Sequence, residues 1–300
     1  MSARRNLSLI VLLLATAGVV WVVMSLEDKF IYFPIRYPEG DWEAVNLQPA
    51  VGGIGPKIDD CWFRTADGVK LHAWHCSPQK NLGGTVTTIP AEMTLMWFHG
   101  NGGNISHRYD MIRLLMHLPV NVFIFDYRGY GRSEGAPSEA GLYLDAHAAW
   151  EYLTRERKIN PLKIVLLGKS LGGVPAIELA THVEPAGLIV QSSFTSVADM
   201  GALVLPFIPG FLIRSRMDSL SRIRSVKCPK LFIHSPADEI VPFRLGRALY
   251  EAASQPKQFY EVANAPHNET YAVGGEEYLG VLREFISVCN AAQKEERAGK

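Results

Sequence analysis

The chain predicts an α/β fold: a mostly parallel central sheet with helices on both faces. Three observations carry this. Short apolar runs alternate with stretches of helical apolar spacing from about residue 93 onward. One of these runs ends in a glycine-flanked serine, Ser170, just where helical spacing begins. The 300 residues, 48% hydrophobic and formally neutral, suit one large domain with a substantial core.

The elements follow in order. Strands over 58–64 and 69–75 alternate around Asp67-Gly68, a hairpin signal. A buried-type strand over 93–98 leads to a helix over about 105–117. A strand over 120–127 precedes a helix over 138–157, with Ser138 as N-cap. Further strands are expected over 164–167, 187–191, 231–234 and 258–262, with helices over 171–183, 243–253 and 269–289. Residues 194–226 interrupt this rhythm with an apolar run and four arginines, and are expected to form a small helical cap. The domain therefore spans 58–290, after a connector over 30–57 and before a polar tail over 291–300.

Residues 6–26 carry no charge over 21 positions. As a helix this is about 31 Å, close to the ~30 Å bilayer core. Arg4 and Arg5 precede it, and Glu27 and Asp28 follow. Residues 1–29 thus read as a membrane anchor, N-terminus in the cytoplasm and domain on the other side. The competing reading is a signal peptide cleaved near Ala15-Thr16-Ala17. The anchor is preferred on length, because cleavage there would leave residues 19–24 as an apolar N-terminus. Neutral charge and the absence of a basic stripe argue against a nucleic-acid partner. The four cysteines contain no C-x-x-C pair, so no zinc site is expected from them. Cys61 and Cys76 flank the hairpin, and either a disulfide or two buried thiols is compatible with that.

Gly168-Lys169-Ser170-Leu171-Gly172 has the form of a nucleophile elbow, a sharp strand-to-helix turn that presents a serine. The pattern recurs at Gly131-Arg132-Ser133-Glu134-Gly135, but there it lies in a polar loop rather than between strand and helix. A phosphate-binding loop ending in Gly168-Lys169-Ser170 needs glycine at position 163, where Lys163 stands. An elbow serine is followed along the chain by an acid and then a histidine. Only His182, His234 and His267 come after it. His182 falls in the helix after the elbow and reads as a surface or packing residue; His234 lies within a strand. His267, on a loop between the last strand and last helix, is the candidate base. Asp238, on the loop leaving the strand 231–234, is the candidate acid, with Glu239 beside it as the alternative. Backbone N–H groups of Leu171 and Asn101 are the expected oxyanion donors. His99 is expected to brace its loop, Asp126 to be structural, and Lys169 to face solvent.

Taken together, these residues resemble the α/β-hydrolase superfamily over roughly residues 58–289. Within it, the chain is similar to a membrane-anchored, serine-aminopeptidase-like branch. The resemblance rests on Phe30-Ile31-Tyr32-Phe33-Pro34, His99-Gly100-Asn101-Gly102-Gly103-Asn104, Asp126-Tyr127-Arg128-Gly129-Tyr130-Gly131, Gly168 through Gly173, Asp238-Glu239-Ile240-Val241-Pro242 and His267. It implies an α/β-hydrolase fold with Ser170 as nucleophile, Asp238 as acid and His267 as base. It also implies a membrane-tethered serine hydrolase acting on a small or lipid-like ester or thioester, with no cofactor or metal. A peptidase of the same fold and an inactive binding protein are the alternatives. One departure stands out: relatives usually carry glycine before this histidine, where Ala265-Pro266 occurs here.

Overall fold

The computed structural model describes residues 27–47, 49–204 and 213–298. The expected anchor over 6–26 lies outside them, as do residues 205–212 in the middle of the expected cap. Among the described residues no helix is long and apolar enough to cross a membrane.

Eleven strands and seven α-helices are named here in chain order. They are β1 (Phe33–Pro34), β2 (Ile54–Arg64), β3 (Lys70–Leu82), β4 (Thr85–Thr88), β5 (Met93–Phe98), β6 (Gly102–Gly103), α1 (Tyr109–Leu115), β7 (Val120–Phe125) and α2 (Glu139–Glu151). Then come β8 (Ile164–Lys169), α3 (Gly173–Ala180), β9 (Gly187–Gln191), α4 (Val197–Val204), α5 (Ser219–Arg222), β10 (Lys230–His234), α6 (Phe243–Ala252), β11 (Lys257–Glu261) and α7 (Thr270–Ala298). The main sheet runs β11-β10-β9-β8-β5-β7-β3-β2, with β4 paired to β3. From β7 to β11 every pairing is parallel, whereas β3 pairs antiparallel with β2, β4 and β7.

Strands β5, β8, β9 and β10 are buried at every position because both sheet faces are covered. Leu95, Trp97, Val165 and Leu167 face one core with Leu115, Leu282 and Phe285 of α1 and α7. Met96, Phe98, Leu166 and Val190 face the other, with Leu142, Ala146 and Ile177 of α2 and α3. Two buried layers on one sheet put the C-terminal ends of β5, β8 and β10, and the loops that leave them, along one rim.

Several boundaries differ from the sequence reading. β3 runs on to Leu82, seven residues past the expected end, because β4 folds back and satisfies its outer edge. The helix expected over 138–157 changes to π geometry at Tyr152–Glu156. Ser138 does cap it, its Oγ accepting the Gly141 N–H at 3.1 Å. α7 breaks at Gly275, whose φ of 49° is non-helical, then continues to Ala298 through residues of good helix propensity. The region before the main sheet is tied to it: β1 pairs with β6, and Trp42–Asn46 forms a 3₁₀ turn. In the expected cap, the Glu27 carboxylate accepts the Ser215 N–H and the Glu139 carboxylate accepts those of Arg216 and Met217. Cys61 and Cys76 are buried free thiols; Cys61 sits opposite Ala73 in the ladder, so the disulfide alternative does not form.

Candidate active site

The elbow begins with backbone shape. Ser170 has φ of 54°, a left-handed conformation that a non-glycine residue holds only when its surroundings enforce it. Three contacts enforce it. Ser193 Oγ donates to the Ser170 carbonyl at 2.9 Å. A Cβ on Gly172 would stand 2.1 Å from the Phe98 carbonyl oxygen, so the new helix lies hard against the end of β5. A Cβ on Gly168 would come within 2.6 Å of the Gly173 Cα, which closes the turn from below. Glycines two residues either side of the serine are therefore required by close approach. Gly100 brings the loop after β5 against the Ser170 side chain.

Ser170, His267 and Asp238 come from three distant stretches and meet. His267 Nε2 stands 3.1 Å from Ser170 Oγ. On the other side of the ring, His267 Nδ1 lies 2.9 and 2.8 Å from the two Asp238 carboxylate oxygens. Asp238 can only accept when ionised, so Nδ1 carries the ring proton and Nε2 presents its lone pair to the serine hydroxyl. All three side chains are buried.

Asp238 is firmly held. Its Oδ1 also accepts the N–H groups of Ile240 at 3.0 Å and Val241 at 2.7 Å. His234 Nε2 lies 3.3 Å from Oδ2 while donating to the Val241 carbonyl. Burial pushes the Asp238 carboxyl upward, but the hydrogen bonds from His234, His267 and the Val241 backbone outweigh it and hold the group well below the usual carboxylate range. Neither His234's support nor the part played by Glu239 is part of the sequence reading. Glu239 Oε2 accepts the His267 backbone N–H at 2.9 Å, so its carboxylate is engaged by the main chain beneath the ring, whereas that of Asp238 faces the ring itself. Ser235 Oγ accepts the Ala265 N–H at 3.1 Å and joins the two loops. With Ala265-Pro266 before it, His267 still reaches Ser170, and the Pro266 carbonyl accepts the Glu269 N–H.

The expected oxyanion donors sit on both sides of the serine. The Asn101 side chain is already committed: Oδ1 accepts from the Phe33 N–H at 3.2 Å and the Tyr130 hydroxyl at 3.0 Å, and Nδ2 donates to the Ile31 carbonyl. Its role toward a ligand is thus confined to the main chain. His99 is buried and pushed down to about 3 by burial and by Arg108, so it stays neutral; Nδ1 donates to the Gly100 carbonyl at 2.7 Å. Ser133, in the second glycine pattern, donates to the Asp126 carbonyl at 2.7 Å and accepts the His72 N–H at 2.9 Å inside its loop. Asp126 Oδ1 accepts the Ile105 N–H at 2.9 Å, a structural link.

Lys169 corrects an expectation. It is 8% exposed rather than solvent-facing, because strand alternation turns it to the face covered by α1 and α7. Its Nζ donates to the Asn268 carbonyl at 3.5 Å and lies 6.0 Å from the centre of the Tyr271 ring. Burial, and then Arg108, push it down to about 8, against the opposing pull of Asp238. A set of residues able to ligate a metal, His147, Glu178 and His182, lies outside this constellation.

Residues 90–217 match the family described as serine aminopeptidase, S33. The alpha/beta hydrolase domain-containing protein WAV2 of Arabidopsis thaliana is 31% identical, covering 96% of this chain and 96% of its own. Protein bem46 of Schizosaccharomyces pombe is 33% identical over 87% of this chain and 86% of its own. The Pyrococcus furiosus esterase Pf2001 superposes with a TM-score of 0.64 at 23% identity, covering 85% of this chain and 98% of that one, and so shares the fold.

Proposed function

The chain belongs to the α/β-hydrolase family, and on that premise we propose that it is a serine hydrolase cleaving carboxylic ester or thioester bonds through Ser170, His267 and Asp238. The observation that carries the proposal is the 3.1 Å approach of His267 Nε2 to Ser170 Oγ, with Asp238 behind the ring. His267 Nε2 takes the hydroxyl proton as Ser170 Oγ attacks the substrate carbonyl carbon. The charge that develops on the carbonyl oxygen is received by the Asn101 and Leu171 N–H groups. One such donor lowers the barrier by about 3–4 kcal/mol in acyl-transfer enzymes. The imidazolium, steadied by Asp238, returns the proton to the departing alcohol or thiol. Water, activated by the same ring, then releases the acyl group and restores the serine.

The apolar run in residues 200–213 favours a greasy acyl chain beneath a cap. The uncharged stretch over 6–26 favours tethering to a membrane, with the domain on the non-cytosolic side. A panel of p-nitrophenyl esters of graded chain length, read for the wild type and Ser170→Ala, tests the proposal. Turnover that peaks at one chain length and disappears in the variant supports it. Equal turnover by both proteins removes it. The family description names an aminopeptidase, so an aminoacyl p-nitroanilide belongs in the panel. A preference for that amide over every ester would move the assignment to a peptidase.

A further inference from the structure

Away from the serine, α2 and α3 bring together two imidazoles and a carboxylate with no part in the proposed chemistry. His147 projects from α2; Glu178 lies in the last turn of α3, and His182 follows at i+4 just past the helix end, on the same side. His147 Nε2 lies 3.3 Å from Glu178 Oε2, and His182 Nε2 lies 2.9 Å from Oε1. The two rings are 5.4 Å apart, and the ligand atoms of all three residues lie within 4.8 Å of one another.

Tetrahedral zinc, with bonds of about 2.0–2.2 Å, spaces its ligand atoms about 3.3 Å apart, as these carboxylate-to-imidazole distances nearly do. Direct hydrogen bonding accounts for the group poorly. Among the described residues Glu178 Oε2 is buried without a well-formed hydrogen bond, although His147 Nε2 stands 3.3 Å away. A buried carboxylate oxygen left unpaired is unfavourable, and a cation seated among the three groups pairs it. The imidazoles are free to adjust: the His147 side chain is 39% exposed and that of His182 57%, whereas Glu178, at 10%, is fixed.

We propose that His147, Glu178 and His182 form a surface site for a zinc-class divalent cation that clamps α2 to α3, the helix that begins three residues after Ser170. Two imidazole nitrogens and one carboxylate oxygen are donors suited to Zn²⁺, with Ni²⁺ and Cu²⁺ competing, and water completes the shell. The ion acts as a structural clamp, independent of the hydrolytic reading.

The test uses the full chain, untagged and stripped of metal with a chelator, titrated calorimetrically with zinc chloride and melted with and without zinc. One zinc per chain and a zinc-dependent rise in Tm are expected. His147→Gln and His182→Gln each lower the association constant at least tenfold, while metal-free Tm and ester hydrolysis match the wild type. Absence of stoichiometric binding in the wild type overturns the proposal. So does wild-type affinity in both variants, which would put the zinc on other groups such as the cysteines.

Discussion

Glu239 Oε2 accepts the backbone N–H of His267 at 2.9 Å, which fixes the loop that carries His267 from the loop that carries Asp238. Two adjacent acidic side chains thus divide one task. Asp238 orients the ring, and Glu239 orients the main chain beneath it.

Glu239→Ala removes that acceptor without touching the reacting atoms. A fall in kcat of about tenfold with little change in KM is expected, the scale on which slight misplacement of a catalytic group is felt. Glu239→Gln keeps a carbonyl oxygen in place and is expected to restore most of kcat. Steady-state kinetics on both variants decide this, and equal loss in both would point to a need for the charge instead.

Asn101→Ala separates side chain from main chain. The variant keeps its N–H but loses the bonds to Ile31, Phe33 and Tyr130. Stability is expected to fall by about 1–3 kcal/mol. The fall in kcat is expected to stay well short of the roughly 10²–10³-fold cost of deleting an oxyanion donor. Denaturant melts and initial rates measure the two effects separately.

Lys169 sets a pH dependence whose sign follows from its burial. In the unfolded chain the amine keeps its proton to about pH 10.4. In the folded protein it gives the proton up near 8. Between those values the unfolded state binds more protons, so this residue makes stability rise with pH across the window. Below it the buried ammonium costs stability, and Lys169→Met is expected to be more stable than the wild type at pH 7 by about 1–3 kcal/mol. Urea melts from pH 7 to 10.5 should show that gap closing. A gap of constant size would contradict the account.

The parts of this architecture written in short windows were readable from the chain alone. β5 and β9 are bounded as expected, since an uninterrupted apolar run between turn residues has few other fates. The meeting of Ser170, Asp238 and His267 is legible for a related reason: each lies on the turn or loop that leaves a parallel strand, where such a sheet gathers its loops. What stayed hidden depends on distant partners. Lys169 looks like a surface residue until the chain 99 positions later, at Asn268, covers it. Glu239 looks interchangeable with Asp238 until the loop of His267 chooses between their carboxylates. β3 reads as a short strand because nothing in its own residues announces that β4 will pair with its end.

Gly172→Ala probes the elbow itself. The added methyl would meet the Phe98 carbonyl oxygen at 2.1 Å, and that backbone has no flexible end to yield. Destabilisation of about 1–3 kcal/mol or more is expected, with loss of activity beyond what stability explains, because the turn must open where the serine stands. A variant with wild-type Tm and wild-type rate would show that the turn is not as tight as described.

The central claim is that Ser170 is a nucleophile poised by His267. Labelling with a fluorophosphonate probe, which bonds covalently to an activated serine hydroxyl, tests it most directly. The wild type should label stoichiometrically, Ser170→Ala not at all, and His267→Ala only weakly, with the modified peptide containing residue 170. Label carried by another residue, or taken up equally by Ser170→Ala, would contradict the account.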